Sequence, residues 1–402
     1  MKSLVNYINE SFDDFLKMTT KDRNRLLELD FEYGKIKLIS RYECTVREVT
    51  NKDEEYEKFK ELYIKKGIKY FPKLKYKELK YNEYDIRNRC KSLIDEFYKL
   101  NNCFLSKYYI KSLKSIIHQC DYLDSLSSDN YKISYKKRNI DQGLVDRAFD
   151  IVKKHPYKSP GSTRTLDAYD AKERIEKELK KIGYDWKIIM KDNMLPRMGV
   201  NPEKTFRINK NAKFSEIDLE SLVAHEIKAH VAKRHYGYES GLWLFVFGIG
   251  SKNTLDEGLA IWNTFNLLEE QKPNALFSIA IKVVMCYYLT YLDFCDAFTE
   301  IKKLVKGSDF SDKNIFSSLI RLKRATIRTD RLGYWSGDID YMKGYEIVDK
   351  MTDEDRDVIL KHNVGLDELY EIDTIDKFLK VNDIKPISNN KLNKLLEYYN
   401  ND

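Results

Sequence analysis

The stretch SLVAHEIKAHVAKRH, residues 221–235, holds three of the chain's six histidines. His225-Glu226 is followed by His230, five residues after the first histidine, and TLDEGLA follows at 254–260. Two histidines, a carboxylate beside the first and another carboxylate downstream suit a catalytic zinc. Such a site needs three protein ligands, one open position and a base next to it. The spacing tests that reading. Histidines four apart lie about 40° from each other around an α-helix, whereas five apart they diverge by roughly 140°. Both reach one metal only if the helix carries an extra residue, as a π-bulge does, and such bulges cluster at functional sites. On a regular helix His225 would face the core, His230 would face water, and Glu226 would be a solvated charge.

The flanking residues favour the metal. Phe206 and Ile208 alternate with polar residues in TFRINKNAKF, the pattern of a short strand. Ser215-Glu216-Ile217-Asp218 then forms a capping-box pattern, with Phe214 and Leu219 placed as a hydrophobic staple. A helix is therefore expected from about Glu216, with Leu219, Leu222 and Val223 as its buried stripe. A strand leading into such a helix can hold an extended peptide beside the metal. Glu257 is the first candidate for a third ligand, because Asp256-Glu257 opens an apolar helical run of Leu259, Ile261, Trp262 and Phe265. Thr254 and Glu257 also fit a capping box, which would make Glu257 a helix terminus and nothing more. His235 is the rival ligand but needs a second bulge. Asp256 is better placed to orient a histidine from behind.

These residues resemble the QEGLA-motif family of zinc metallopeptidases, which includes the microtubule-associated tyrosine carboxypeptidases. HEIKAH, a glycine-rich apolar stretch and DEGLA carry the resemblance. It extends upstream to Asn51, Phe59, Tyr70, Pro72 and Tyr76, then to the apolar run ALFSIAIKVVMCYYLTYLDFCDAF, and last to Arg324, Asp338, Tyr341 and Gly344. It implies zinc on His225, His230 and Glu257, with Glu226 as catalytic base. Two departures stand out: Lys228-Ala229 where the family has Gly-Thr, and Asp256 in place of glutamine. Both leave the ligands intact.

The late block of the resemblance supplies two further candidates. Tyr341 is placed to donate to an oxyanion. Arg324 is placed to bind a substrate's terminal carboxylate, which a bidentate guanidinium fits best. Arg328 and Arg331 read as solvated neighbours. The resemblance thus implies a zinc metallocarboxypeptidase that releases a C-terminal residue, tyrosine by family analogy, from a protein or peptide; tubulin is the substrate only in a host that has it. A zinc endopeptidase or amidase, or a non-catalytic protein that binds acidic tails, are the competing classes. Intact Glu226 speaks against the last.

Composition sets the frame. The 402 residues are 34% charged and 42% hydrophobic with only seven prolines, which points to a folded, helix-rich protein. A net charge of +7 from 71 basic and 64 acidic residues, without a dense basic block, gives no nucleic-acid arm. The six cysteines include no Cys-x-x-Cys pair, so reduced thiols and a cytoplasmic setting are expected. The N-terminus has acids where a signal peptide would be apolar. The longest apolar run, 275–292, carries Lys282 at its centre and is expected to be a buried helix, with no membrane partner.

The expected architecture is α+β and predominantly helical. A helical N-terminal region over 1–124 packs on a zincin-like catalytic domain over 135–402, with a linker at 125–134. Two amphipathic helices fill 84–120, with His118 assigned to their packing. Residues 237–251 read as a loop covering the histidine helix, and the tail beyond Gly344 as helical and charged. Oligomeric state is not legible.

Overall fold

The computed structural model describes residues 16–43, 49–76, 83–100, 103–127, 140–159, 164–192, 194, 196–250, 252–267, 272–323, 328–334 and 336–401. The fold is α+β and predominantly helical, with one three-stranded sheet among the described residues. The strands are β1 (Lys187–Lys191), β2 (Met198–Asn201) and β3 (Thr205–Asn209). Their order is β1-β3-β2, with β3 parallel to β1 and antiparallel to β2, so β2 is an edge strand. The alternation in TFRINK anticipates β3, whereas the MGVN of β2 is too short to show any.

Residues 206–209 of β3 alternate between buried and half-buried, as in a half-buried sheet. Met198, Val200, Phe206 and Ile208 are buried in one cluster with Leu219, Val223, Ile227 and Val231 from the histidine helix. That helix starts at Glu216, and Ser215 and Asp218 form the anticipated capping box. A second helix, Lys252–Leu267, lies against its other side, where Ala229 packs with Leu255, Leu259 and Ala260. The histidines are thus carried between a sheet and a helix.

Helix Lys252–Leu267 in turn meets helix Asp340–Val348 with almost no separation. A Cβ on Gly258 would lie 2.3 Å from the carbonyl carbon of Gly344, and one on Gly344 would lie 1.9 Å from the Thr254 oxygen. Only two glycines allow backbones so close. A hydrogen bond of 2.9 Å from Thr254 Oγ1 to Asp340 Oδ1 ties the same crossing.

Lys272–Tyr291 is long and apolar enough to cross a membrane, and half of that stretch is buried. Phe277, Ala280, Val283 and Val284 sit in the core that also holds Leu144, Phe298 and Phe316. The helices at 20–43, 83–99 and 106–127 share a separate core with Trp243–Phe247 and with Ile375, Phe378 and Leu395 of the tail. Two local expectations are corrected here. Residues 243–247 form a short, wholly buried helix, not a covering loop, because its apolar residues fill the core of the N-terminal helices. His118 is exposed, since the buried row of its helix runs through Leu113, Ile116 and Cys120. The five described cysteines are free thiols. The linker expected at 125–134 lies mostly outside the described residues.

Candidate active site

The histidine helix changes pitch at the motif. Glu216–His225 is α-helical, Glu226–Val231 is π-helical, and the α form resumes at Ala232. At about 4.4 residues per π turn, five residues rotate by only about 50° beyond a full circle, so both histidines face one side. The same change keeps the apolar row Leu219, Val223, Ile227 and Val231 on the sheet, since α and π segments drift in opposite directions. That four-residue apolar spacing through the motif is a sequence signal for the π segment in its own right.

The two imidazoles stand edge to face with ring centres 5.1 Å apart. Glu257 Oε2 lies 3.8 Å from His225 Nε2 and 3.9 Å from His230 Nε2. One ligand atom from each of the three residues falls within 4.8 Å of the others. Tetrahedral zinc with bonds of about 2.0–2.2 Å needs donors about 3.3–3.6 Å apart, so the set fits with small side-chain shifts. Glu257 Oε2 is buried and has no hydrogen-bond partner among the described residues, a costly state for a carboxylate unless a cation completes it. Glu257 does not cap its helix. The helix already runs from Lys252, and the Thr254 hydroxyl is engaged by Asp340.

Electrostatics keep the centre ready for a cation. Burial, followed by the charge of His230, pushes His225 down to about 4, so its ring is neutral at pH 7. At His230 burial also opposes protonation, but the adjacent Asp256 outweighs it and raises the pKa. His230 Nδ1 is 3.0 Å from Asp256 Oδ1, which orients the ring and leaves Nε2 towards Glu257. Asp256 is buried and also stands 3.6 Å from the wholly buried Lys233 Nζ, an ammonium whose pKa burial lowers. His235 is not in the cluster. Its ring stacks on Tyr184 with centres 4.0 Å apart.

The third wall was only partly foreseen. Tyr341, on helix Asp340–Val348, is brought to Glu257 by the glycine crossing. Burial and then the Glu257 charge raise its pKa far above the usual tyrosine range, so it remains a donor. Arg324 lies outside the described residues. Two other cations do line this wall. Arg321 Nη2 is 3.4 Å from the Tyr341 hydroxyl, and Lys282 Nζ is 4.3 Å from the centre of its ring. In sequence Arg321 is one member of a basic segment with Arg324, Arg328 and Arg331, with nothing to set it apart. Lys282 reads as an anomaly in an apolar helix, which is the one signal that could have found it.

Beyond the geometry, the chain matches the family model described as microtubule-associated tyrosine carboxypeptidase over residues 61–362, a span that includes all of these side chains. No curated protein matches the chain. The match covers most of the chain, and the chain therefore belongs to the microtubule-associated tyrosine carboxypeptidase family.

Proposed function

We propose that this protein is a zinc-dependent carboxypeptidase with a zincin-like centre, acting in the cytoplasm on protein or peptide C-termini. One observation carries the reading: the donor groups of His225, His230 and Glu257 converge, and among the described residues the buried Glu257 Oε2 has no hydrogen-bond partner. His225, His230 and Glu257 would hold the ion, and Asp256 would orient His230. Zinc, when bound, supplies a Lewis acid for a carbonyl and makes water a stronger acid. Glu226, next to His225 in the chain, takes a proton from water and returns it to the leaving amine. The Tyr341 hydroxyl donates to the oxygen on which negative charge develops. By analogy with the family description, the residue released is a C-terminal tyrosine and tubulin is the natural substrate where the host has it.

The test combines metal analysis with a pair of peptides ending in tyrosine, one with a free carboxylate and one amidated. The purified chain should carry about one zinc and cleave the free acid far faster than the amide. Glu226→Gln should lose about 10²–10⁴-fold in rate and keep its zinc. A protein that binds no zinc sinks the proposal. Equal cleavage of both peptides would make it an endopeptidase or amidase instead.

A further inference from the structure

A carboxypeptidase must hold the terminal carboxylate of its substrate next to the scissile bond. Both cations beside Tyr341 are built for an anion. Arg321 sits on helix Asp312–Lys323; its Nε donates to Asp338 Oδ1 at 2.7 Å, and its Nη2 lies 2.7 Å from the same oxygen as an ion pair. Asp338 has no exposed surface, so this anchor is rigid and fixes the plane of the guanidinium. The anchored edge is the Nε side. Nη1 has no partner among the described residues, and the side chain keeps 40% of its surface exposed. Lys282, on a different helix, is 3.9 Å from the same Asp338 oxygen. The wall is also close to the reaction centre. Arg321 and Tyr341 both feel the charge of Glu257, and His225 feels that of Lys282.

We propose that Arg321, braced by Asp338 and flanked by Lys282, binds the substrate's C-terminal carboxylate through the end of its guanidinium that carries Nη1. This rests on the carboxypeptidase reading above. It assigns to Arg321 the role that the sequence gives to Arg324. A planar fork held along one edge can present its other edge only in one direction. That geometry fixes where the substrate's terminal carboxylate sits. Specificity for an exposed chain end follows from the same contact, because an internal peptide brings no carboxylate to the guanidinium.

The experiment uses the full-length, zinc-loaded protein and the two tyrosine-ended peptides, the acid and the amide. Arg321→Lys keeps the charge and loses the fork. It should lower kcat/KM on the free acid by about 10- to 100-fold, chiefly through KM, as expected for a lost charge-assisted pair. Zinc content, melting behaviour and the residual rate on the amide should be unchanged. Lys282→Gln should lose about 3- to 10-fold on the acid alone, and it provides the same test if Arg321→Lys fails to fold. Equal losses on acid and amide would make these cations structural and overturn the assignment. So would an acid-specific loss in Arg324→Lys with none in Arg321→Lys. A wild-type protein that does not distinguish acid from amide would overturn the carboxypeptidase reading itself, whatever Arg321 does.

Discussion

Among the described residues two stretches leave the α-helical pitch for a π turn, Lys60–Lys65 and Glu226–Val231, and they use the extra residue differently. In the first, none of the six residues is buried. Its neighbour Phe59 is, wedged among Phe294, Phe298 and Phe316 with ring centres 4.9–5.4 Å away. The Tyr63 hydroxyl reaches Cys295 O at 2.9 Å and Thr299 Oγ1 at 2.6 Å, while Lys65 pairs with Glu61 in solvent. There the pitch change serves packing. In the second stretch four of six residues are buried, and the rotation turns two imidazoles to one side. Irregular pitch therefore does not mark a site by itself. What marks one is irregular pitch under side chains that can hold a metal.

That contrast can be tested from either side. Asp256→Asn acts on the second stretch. It keeps the shape of the partner of His230 but removes its charge, and zinc affinity measured by chelator competition should fall about 10- to 100-fold. Lys233 would then lose its buried counter-charge and should shed its proton. Unchanged affinity would mean that Asp256 does not position the ligand. Tyr63→Phe acts on the first stretch. It removes the hydroxyl contacts and should cost about 0.5–1.5 kcal/mol in denaturant midpoint, with kcat and zinc content as in wild type. A loss of activity there would erase the distinction between the two segments.

The smallest effect belongs to a histidine remote from both. His362 Nε2 is 3.0 Å from Asp376 Oδ1, and its Nδ1 faces the Val358 carbonyl. Burial opposes its charge, but these acceptors outweigh burial and raise its pKa. A raised histidine stabilises the fold fully below its unfolded value of about 6.5, and the gain fades as pH rises through the higher folded value. Asp376 is largely exposed, so the gain should stay below about 1 kcal/mol. Wild type minus His362→Gln, compared by thermal melting at pH 6 and pH 8, should show the larger difference at pH 6. The reverse order would break the assignment.

How much of this the sequence reveals depends on how local the information is. The capping box at Ser215, the start at Glu216 and the grouping of His225, His230 and Glu257 are written within about forty residues. The anomalous histidine spacing itself calls for the π turn. The π turn at Lys60–Lys65 is silent in sequence, because KELYIK carries no pair of groups whose function would fail on a regular helix. Lys282, Arg321 and Asp338 come from three separate elements, and only tertiary packing brings them to Tyr341. The buried helix at 243–247 was missed for a related reason. Its glycine brackets suggest a loop, whereas its burial depends on helices two hundred residues earlier.

The Gly258–Gly344 crossing carries a consequence for how this protein tolerates change. Neither residue has a functional side chain, yet any side chain at either position must wedge two helices apart. One of those helices delivers Glu257 and the other delivers Tyr341. In a screen that scores every substitution for activity, these two positions should therefore be as intolerant as the histidines. Alanine alone should be enough to reveal it.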